Sequence, residues 1–304
     1  MSEAPSTSPV CYRHPERETL LSCSRCERPI CTSCMNDASV GHQCPDCVRE
    51  GQRGQRQAVT AFGGNLAAGR AGYATRAIIG VNVLVMVASV ILGGPKAIAG
   101  AGGFFGLLGN GTSLTDAGEV LGWAYYADHS VHGIAEGEWY RLFTAMFLHY
   151  GVVHLLLNMM VLWQLGRYLE TVLGPIRFTV LYLLAGLGGN VACYVFQAPN
   201  QASAGASTAT FGLMAAMFVV NRRLKLDVTQ LIPLLVVNLI FTFSMSQISK
   251  AGHVGGLVFG AITAAVLAYA GTAKNRTIRQ AVGCALILAV LIGAAVWRTS
   301  DILG

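Results

Sequence analysis

Seven runs of apolar residues, each near the length needed to cross a bilayer, dominate the chain beyond residue 76. A helix needs about 17–25 mostly apolar residues to span the hydrocarbon core. The pattern predicts spans at 77–93, 146–168, 176–197, 204–221, 229–246, 250–270 and 281–297. The turn from the fifth into the sixth is tight. Between the first two lies a glycine-rich, half-apolar stretch, 94–145, containing GGFFGLLGN and the aromatics Trp123, Tyr125, Tyr126 and Trp139. Aromatic rings favour the headgroup level, so this stretch is expected to lie partly in the membrane interface. Upstream the pattern turns polar. Residues 1–10 read as a disordered tail, 11–50 as a compact cysteine-rich module, and 51–76 as a flexible basic linker whose arginines can rest on anionic headgroups. Residues 77–297 read as the transmembrane domain and 298–304 as a tail. The expected fold class is an all-α polytopic membrane protein: a six-helix core, a seventh C-terminal span and a small zinc-stabilised N-terminal module.

Composition agrees. The 304 residues suggest roughly two domains. They are 53% hydrophobic and only 12% charged, against about 25% charge in soluble domains. The first fifty residues offer no apolar core segment, so no cleavable leader is expected. The net charge of +6 suits a positive-inside membrane protein, and no nucleic acid partner is expected. With the N-terminus inside, the inner turns carry eight Lys and Arg residues and the outer segments four; the N-terminal region adds nine arginines inside. The positive-inside rule therefore predicts a multi-pass protein of the cell membrane, with a cytoplasmic N-terminus and an extracellular C-terminus.

Seven of the nine cysteines lie between Cys11 and Cys47. The pairs are Cys11-x2-His14, Cys23-x2-Cys26, Cys31-x2-Cys34 and Cys44-x2-Cys47, which makes eight ligands for two tetrahedral structural zinc ions. Alternate pairs are expected to share an ion in a cross-brace: Cys11, His14, Cys31 and Cys34 at one, Cys23, Cys26, Cys44 and Cys47 at the other. His42 is a ninth candidate ligand. About forty residues cannot build a core that folds without metal. Interaction with a protein partner, or regulation, is the expected role. Reduced thiolates also belong in the cytosol, as the orientation requires. Cys193 and Cys284, in apolar spans, read as inert thiols.

Three spans carry polar groups that hydrocarbon should reject: His154 with Asn158, Ser207, and His253. Each alone has a plain structural explanation. Ser207 can bond back to a helix carbonyl, His253 can be a packing histidine, and His154 with Asn158, one turn apart, can join two helices. Together they supply a nucleophile, a base and hydrogen-bond donors. A serine hydroxyl needs a base to take its proton, and imidazole can serve. No Asp or Glu lies in the later spans to orient that ring, so a dyad is expected. Phe211, four residues after Ser207, can stack on the imidazole. Ser207 falls in the first turn of its helix, where free N–H groups favour negative charge. Its N–H, the His154 ring and the Asn158 amide can form an oxyanion hole, where one donor is worth about 3–4 kcal/mol. Gly256 and Gly260 form a GxxxG face that lets helices approach closely.

Residues from about 77 to 270 resemble the rhomboid intramembrane serine proteases. The resemblance rests on FLHYGVVHLLLNM (147–159), GAS (205–207) followed by Phe211-Gly212, AGHVGGLVFG (251–260) and GEWYRLFT (137–144). It implies Ser207 as nucleophile, His253 as general base, and His154 and Asn158 as oxyanion-hole side chains. Gly205 matches the family's GxSG, Arg141 matches its Trp-Arg motif, and His149 matches a further histidine that serves either packing or catalysis. There are two departures: Thr208 stands where the family has glycine, and Tyr140-Arg141 replaces Trp-Arg. The resemblance implies an endopeptidase that cleaves transmembrane proteins in the bilayer near the outer face, with no cofactor for catalysis. The cysteine module resembles B-box zinc fingers, with Cys44 and Cys47 where histidines are usual. One alternative is a catalytically inactive rhomboid-like protein that binds membrane clients. Another is a small transporter, which would need charged residues in its central helices; the spans offer almost none.

Overall fold

The computed structural model describes residues 8–54, 58–94, 96–99, 111–245, 248–271 and 274–304. Most of the expected tail at 1–10, and the GGFFGLLGN segment, lie outside the described residues. The chain divides into two compact units, Met1–Gln57 and Ala58–Gly304.

The first unit contains a hairpin of β1 (Val10–Cys11) and β2 (His14–Glu18), then a 3-10 turn at Thr32–Cys34. A second hairpin follows, of β3 (Asn36–Asp37) and β4 (His42–Gln43), and then α1 (Pro45–Gly54). Its buried apolar core consists of Ile30 and six cysteines. So small a core cannot offset the entropy of ordering the chain without cross-links.

The second unit is helical. It opens with α2 (Leu66–Ala71), α3 (Tyr73–Gly93) and the short α4 (Lys96–Ala99). The loop that follows carries α5 (Ser113–Gly118), a hairpin of β5 (Ala124–Tyr125) and β6 (Val131–His132), and α6 (Arg141–Thr144). Then come α7 (Val152–Leu173), α8 (Pro175–Phe196), α9 (Ser207–Arg223), α10 (Leu231–Ser244), α11 (Lys250–Tyr269) and α12 (Arg276–Leu303). Among the described residues, five helical stretches are long and apolar enough to cross a membrane: 66–93, α7, α8, α11 and α12. α9 and α10 are shorter, at 17 and 14 residues.

The structure corrects three expectations. Residues 58–76 are not a flexible linker. A turn at 60–64 closes on itself, with Thr60 N–H donating to the Gly64 carbonyl at 2.8 Å. Asn65 then caps α2 by accepting from Ala68 N–H at 2.9 Å, and α2 packs on α7. Residues 298–304 are not a tail, because α12 runs on to Leu303. The second span begins at Val152, not 146: Ala145–Phe147 is a 3-10 turn, and Gly151 holds φ +98 at the helix start.

α8, α9 and α11 form the centre of the bundle. Glycines let them touch. A Cβ on Gly256 would fall 2.0 Å from the Thr208 carbonyl oxygen, and one on Gly260 would fall 2.3 Å from Gly212 Cα. Any larger residue would force α9 and α11 apart. Glu170 of α7 is fully buried and caps α3: it accepts from Ala74 N–H (2.9 Å), Thr75 N–H (2.8 Å) and the Thr75 hydroxyl (2.6 Å). Three donors satisfy a carboxylate that hydrocarbon would otherwise reject. In the loop, Arg141, 2% exposed, donates from Nε to Glu138 at 2.6 Å and from Nη1 to the Asp116 carbonyl at 2.7 Å. This arginine ties α6 to α5 within the loop.

Candidate active site

Ser207 is the first residue of α9, so its N–H has no partner one turn back in the helix. Gly205, two residues earlier, holds φ +144, a conformation that favours glycine, and donates its N–H to the Ala145 carbonyl at 2.9 Å. The chain turns there and aims the serine inward. His253 sits in the first turn of α11. Its Nε2 lies 2.9 Å from Ser207 Oγ. Phe211 stacks on the imidazole, with centroids 4.0 Å apart and planes at 18°.

Thr242, the only buried residue in α10, completes the arrangement. Its hydroxyl donates to the Asn238 carbonyl at 2.8 Å and lies 2.8 Å from His253 Nδ1. A hydroxyl has one proton. Having given it to Asn238, Thr242 can only accept from Nδ1–H. This tautomer leaves the Nε2 lone pair facing Ser207, as a base requires. Sequence reasoning missed Thr242. Threonines bonding back to their own helix are common, and the spacing to His253 crosses a helix break, so no periodicity pointed to it.

His154 lies in the first turn of α7. Its Nδ1 accepts the Tyr150 backbone N–H at 3.3 Å, which places the ring proton on Nε2. A Cβ on Gly205 would sit 3.1 Å from that Nε2 and 3.4 Å from Ser207 Oγ, so both face one small space. Asn158 spends one amide proton on the His154 carbonyl at 3.0 Å and keeps the other free to donate. Ser207, His253, His154, Asn158 and Thr242 all line a single cavity of about 190 Å³.

The remaining predicted residues stand around this group. His149, 4% exposed, accepts the Ala206 N–H through Nε2 at 3.4 Å, and so steadies the turn before Ser207. Gly256 and Gly260 hold α11 against α9, as described above. Thr208 fits because its neighbours are small: a Cβ on Gly189 would fall 2.6 Å from its Cβ, and one on Gly252 would fall 3.1 Å from its Cγ2. Arg141 acts on the loop, away from the serine. Tyr150 is a further contributor the sequence did not mark. Its ring stacks on His154 at 14°, and its hydroxyl donates to Glu119 at 2.6 Å.

In the N-terminal unit the ligand atoms gather into two sets, Cys11, His14, Cys31 and Cys34, and Cys23, Cys26, Cys44 and Cys47, each within 4.8 Å of one another. His14 Nδ1 lies 3.3 Å from Cys31 Sγ and 3.4 Å from Cys34 Sγ. Those are near the edge lengths of a tetrahedron with metal–ligand bonds of about 2.0–2.3 Å. Cys44 N–H donates to Cys23 Sγ at 3.2 Å and Cys47 N–H to Cys44 Sγ at 3.3 Å, contacts that stabilise thiolates. Both sets could hold a metal ion. His42 joins neither; its Nδ1 lies 3.3 Å from the Asp37 carboxylate across the β3–β4 hairpin. The extra ligand is not needed, because each set already has four.

A serine hydroxyl at hydrogen-bond distance from an imidazole, with further donors around the same cavity of a bundle of membrane-length helices, is an arrangement that can perform serine-hydrolase chemistry. Residues 136–270 match the family model of the rhomboid domain. Rhomboid protease GluP of Bacillus subtilis (strain 168) is 42% identical over 139 residues, covering 44% of this chain and 27% of that protein. Putative rhomboid protease YdcA of the same organism is 37% identical over 133 residues, covering 42% of this chain and 67% of that protein. Inactive rhomboid protein 2 of Homo sapiens is 38% identical over 82 residues, covering 27% of this chain and 10% of that protein. The chain belongs to the rhomboid family, which includes both proteases and inactive members. The match spans about a quarter of GluP's length and two-thirds of YdcA's.

Proposed function

We propose that this protein is an intramembrane serine endopeptidase acting through a Ser207–His253 dyad on transmembrane segments of other proteins. The observation that carries the reading is the 2.9 Å approach of Ser207 Oγ to His253 Nε2. His253 takes the hydroxyl proton as Oγ attacks the scissile carbonyl. The resulting oxyanion is held by Ser207 N–H, His154 Nε2–H and the free Asn158 amide proton. His253 returns its proton to the leaving amine, and an acyl-enzyme remains. Water, activated by the same imidazole, then releases the acid and restores Ser207. Thr242 accepts a hydrogen bond from Nδ1–H throughout and steadies the imidazolium formed in between. The attacked peptide must be locally unwound, since a helical peptide bond is shielded by its own backbone. No cofactor takes part in the chemistry.

In the N-terminal unit, the two four-ligand sets hold structural zinc, which cross-links a core too small to fold alone. The excess of basic residues in the turns at one end of the bundle supports a cytoplasmic N-terminus and an extracellular C-terminus.

A fluorophosphonate probe tests the reading. The folded protein should be labelled covalently, and labelling should vanish in both Ser207→Ala and His253→Ala. Inactive relatives support a second reading, a membrane-client binding protein without activity. Absence of labelling in folded protein would decide for it.

A further inference from the structure

We propose that Arg223 and Arg276, with Arg177 beside Arg276, make a ready-made cleft for a phosphate group at the end of the bundle opposite Ser207. α9 begins at Ser207 and ends at Arg223, 16 residues on. At about 1.5 Å rise per residue that is about 24 Å, close to the thickness of the hydrocarbon core. The cleft therefore sits at the other membrane surface. Its volume is about 90 Å³, and Phe62, Arg223, Leu267, Gly271 and Arg276 line it.

Each arginine is anchored through Nε. Arg177 donates to Gln280 Oε1 at 2.8 Å, Arg223 to the Ala268 carbonyl at 3.3 Å, and Arg276 to the Gly271 carbonyl at 3.4 Å. Arg223 also lies over the Tyr269 ring, 5.4 Å from its centroid. Anchoring at Nε leaves the outer guanidinium nitrogens available to a ligand. Arg177 Nη2 and Arg276 Nη1 converge: each lies 3.2 Å from the point where a Cβ on Gly63 would stand. Among the described residues, none of the three arginines pairs with a carboxylate. Buried Gln280 fixes the corner by donating from Nε2 to the Leu267 carbonyl at 2.8 Å and to the Phe62 carbonyl at 3.2 Å.

Like charges held together without a counter-charge are unfavourable, and an anion relieves them. Planar guanidinium forks match phosphate oxygens with two parallel hydrogen bonds. At the membrane surface the phosphate belongs either to an anionic lipid headgroup or to a solute.

The test uses the full chain in nonionic detergent without added lipid. Equilibrium dialysis measures binding of inorganic phosphate. Native mass spectrometry measures retention of phosphatidic acid and of phosphatidylcholine from doped micelles. The expected result is saturable binding of phosphatidic acid in preference to phosphatidylcholine. Arg276→Gln and the Arg177→Gln/Arg276→Gln pair should each weaken it about tenfold or more, the scale of one lost charge-assisted bond. Arg222→Gln/Lys225→Gln, at the same end but outside the cleft, should leave it unchanged. Binding of inorganic phosphate as well would make a solute the source, and binding of phosphatidic acid alone a lipid; either outcome upholds the cleft. If the double variant fails to fold, Arg276→Gln alone decides. No preferential binding by folded wild-type protein, or equal weakening in Arg222→Gln/Lys225→Gln, overturns it.

Discussion

The single proton of the Thr242 hydroxyl sets the chemistry of a neighbouring helix. It goes to the Asn238 carbonyl, and in the proposed mechanism His253 then donates from Nδ1 to Thr242 and offers its Nε2 lone pair to Ser207. Replacing Thr242 with Val should lower kcat about tenfold with little change in KM, the scale of one hydrogen bond worth about 1.4 kcal/mol. Thr242→Ser should recover most of the loss, which a packing role would not predict. Steady-state cleavage of a reporter transmembrane substrate checks both. Glu119, outside the spans, gives a pH signature. Burial lifts its carboxyl to about 7, although the Tyr150 bond and the Arg141 charge pull it down. An unfolded Glu titrates near pH ~4.3. Between those values the folded protein keeps a proton that the unfolded chain has released. Stability should therefore fall as pH rises from about 4.3 to about 7, and level off above. Thermal unfolding of Glu119→Gln across that range should lack this slope. Ser207, His253, His154 and Asn158 were legible because polar groups stand out in apolar runs. Thr242 and Tyr150 were not, because a threonine or a tyrosine in such a run is unremarkable until its partner's position is known.

Among the helices, close approach of α9 and α11 keeps serine and histidine within reach. Gly260→Ala places a Cβ 2.3 Å from Gly212 Cα. It should cost about 1–3 kcal/mol of stability, as overpacked cores do, and should reduce fluorophosphonate labelling. Gly293, in α12, has nothing within 4 Å of its Cβ position. Gly293→Ala should instead be neutral or stabilise by up to about 1 kcal/mol, through helix propensity alone. Reversible unfolding in mixed micelles measures the contrast. The GxxxG spacing signalled this contact, and the need to bring His253 to Ser207 pointed to the Ser207 helix as the one it meets. The boundaries of the second span were misjudged because apolarity continues from Met146 through a 3-10 turn that only Gly151 interrupts. Composition likewise concealed the order of 58–71. A segment rich in Gly, Ala and Arg looks mobile, yet here Asn65 caps it and α7 supplies the surface it packs on.

Across the whole molecule the two units should respond differently to chelation. Removing metal with a strong chelator should render residues 11–50 sensitive to protease, while the helical unit keeps its thermal transition and its labelling. Loss of that transition under mild chelation would contradict the separation. The amino-acid order by itself determined the membrane character, the grouping of eight Cys and His side chains into two sets that could hold metal, and the candidacy of Ser207 and His253. These follow from local chemistry: hydropathy over a bilayer's length, knuckle spacing, and polar groups where lipid penalises them. Only the tertiary structure decided which threonine stands beside the imidazole's second nitrogen, and that Arg223 of α9 and Arg276 of α12 line one cleft with Arg177 of α8 close to Arg276. Such facts depend on angstrom-scale distances between helices far apart in the chain, and those distances arise only when all the helices pack at once.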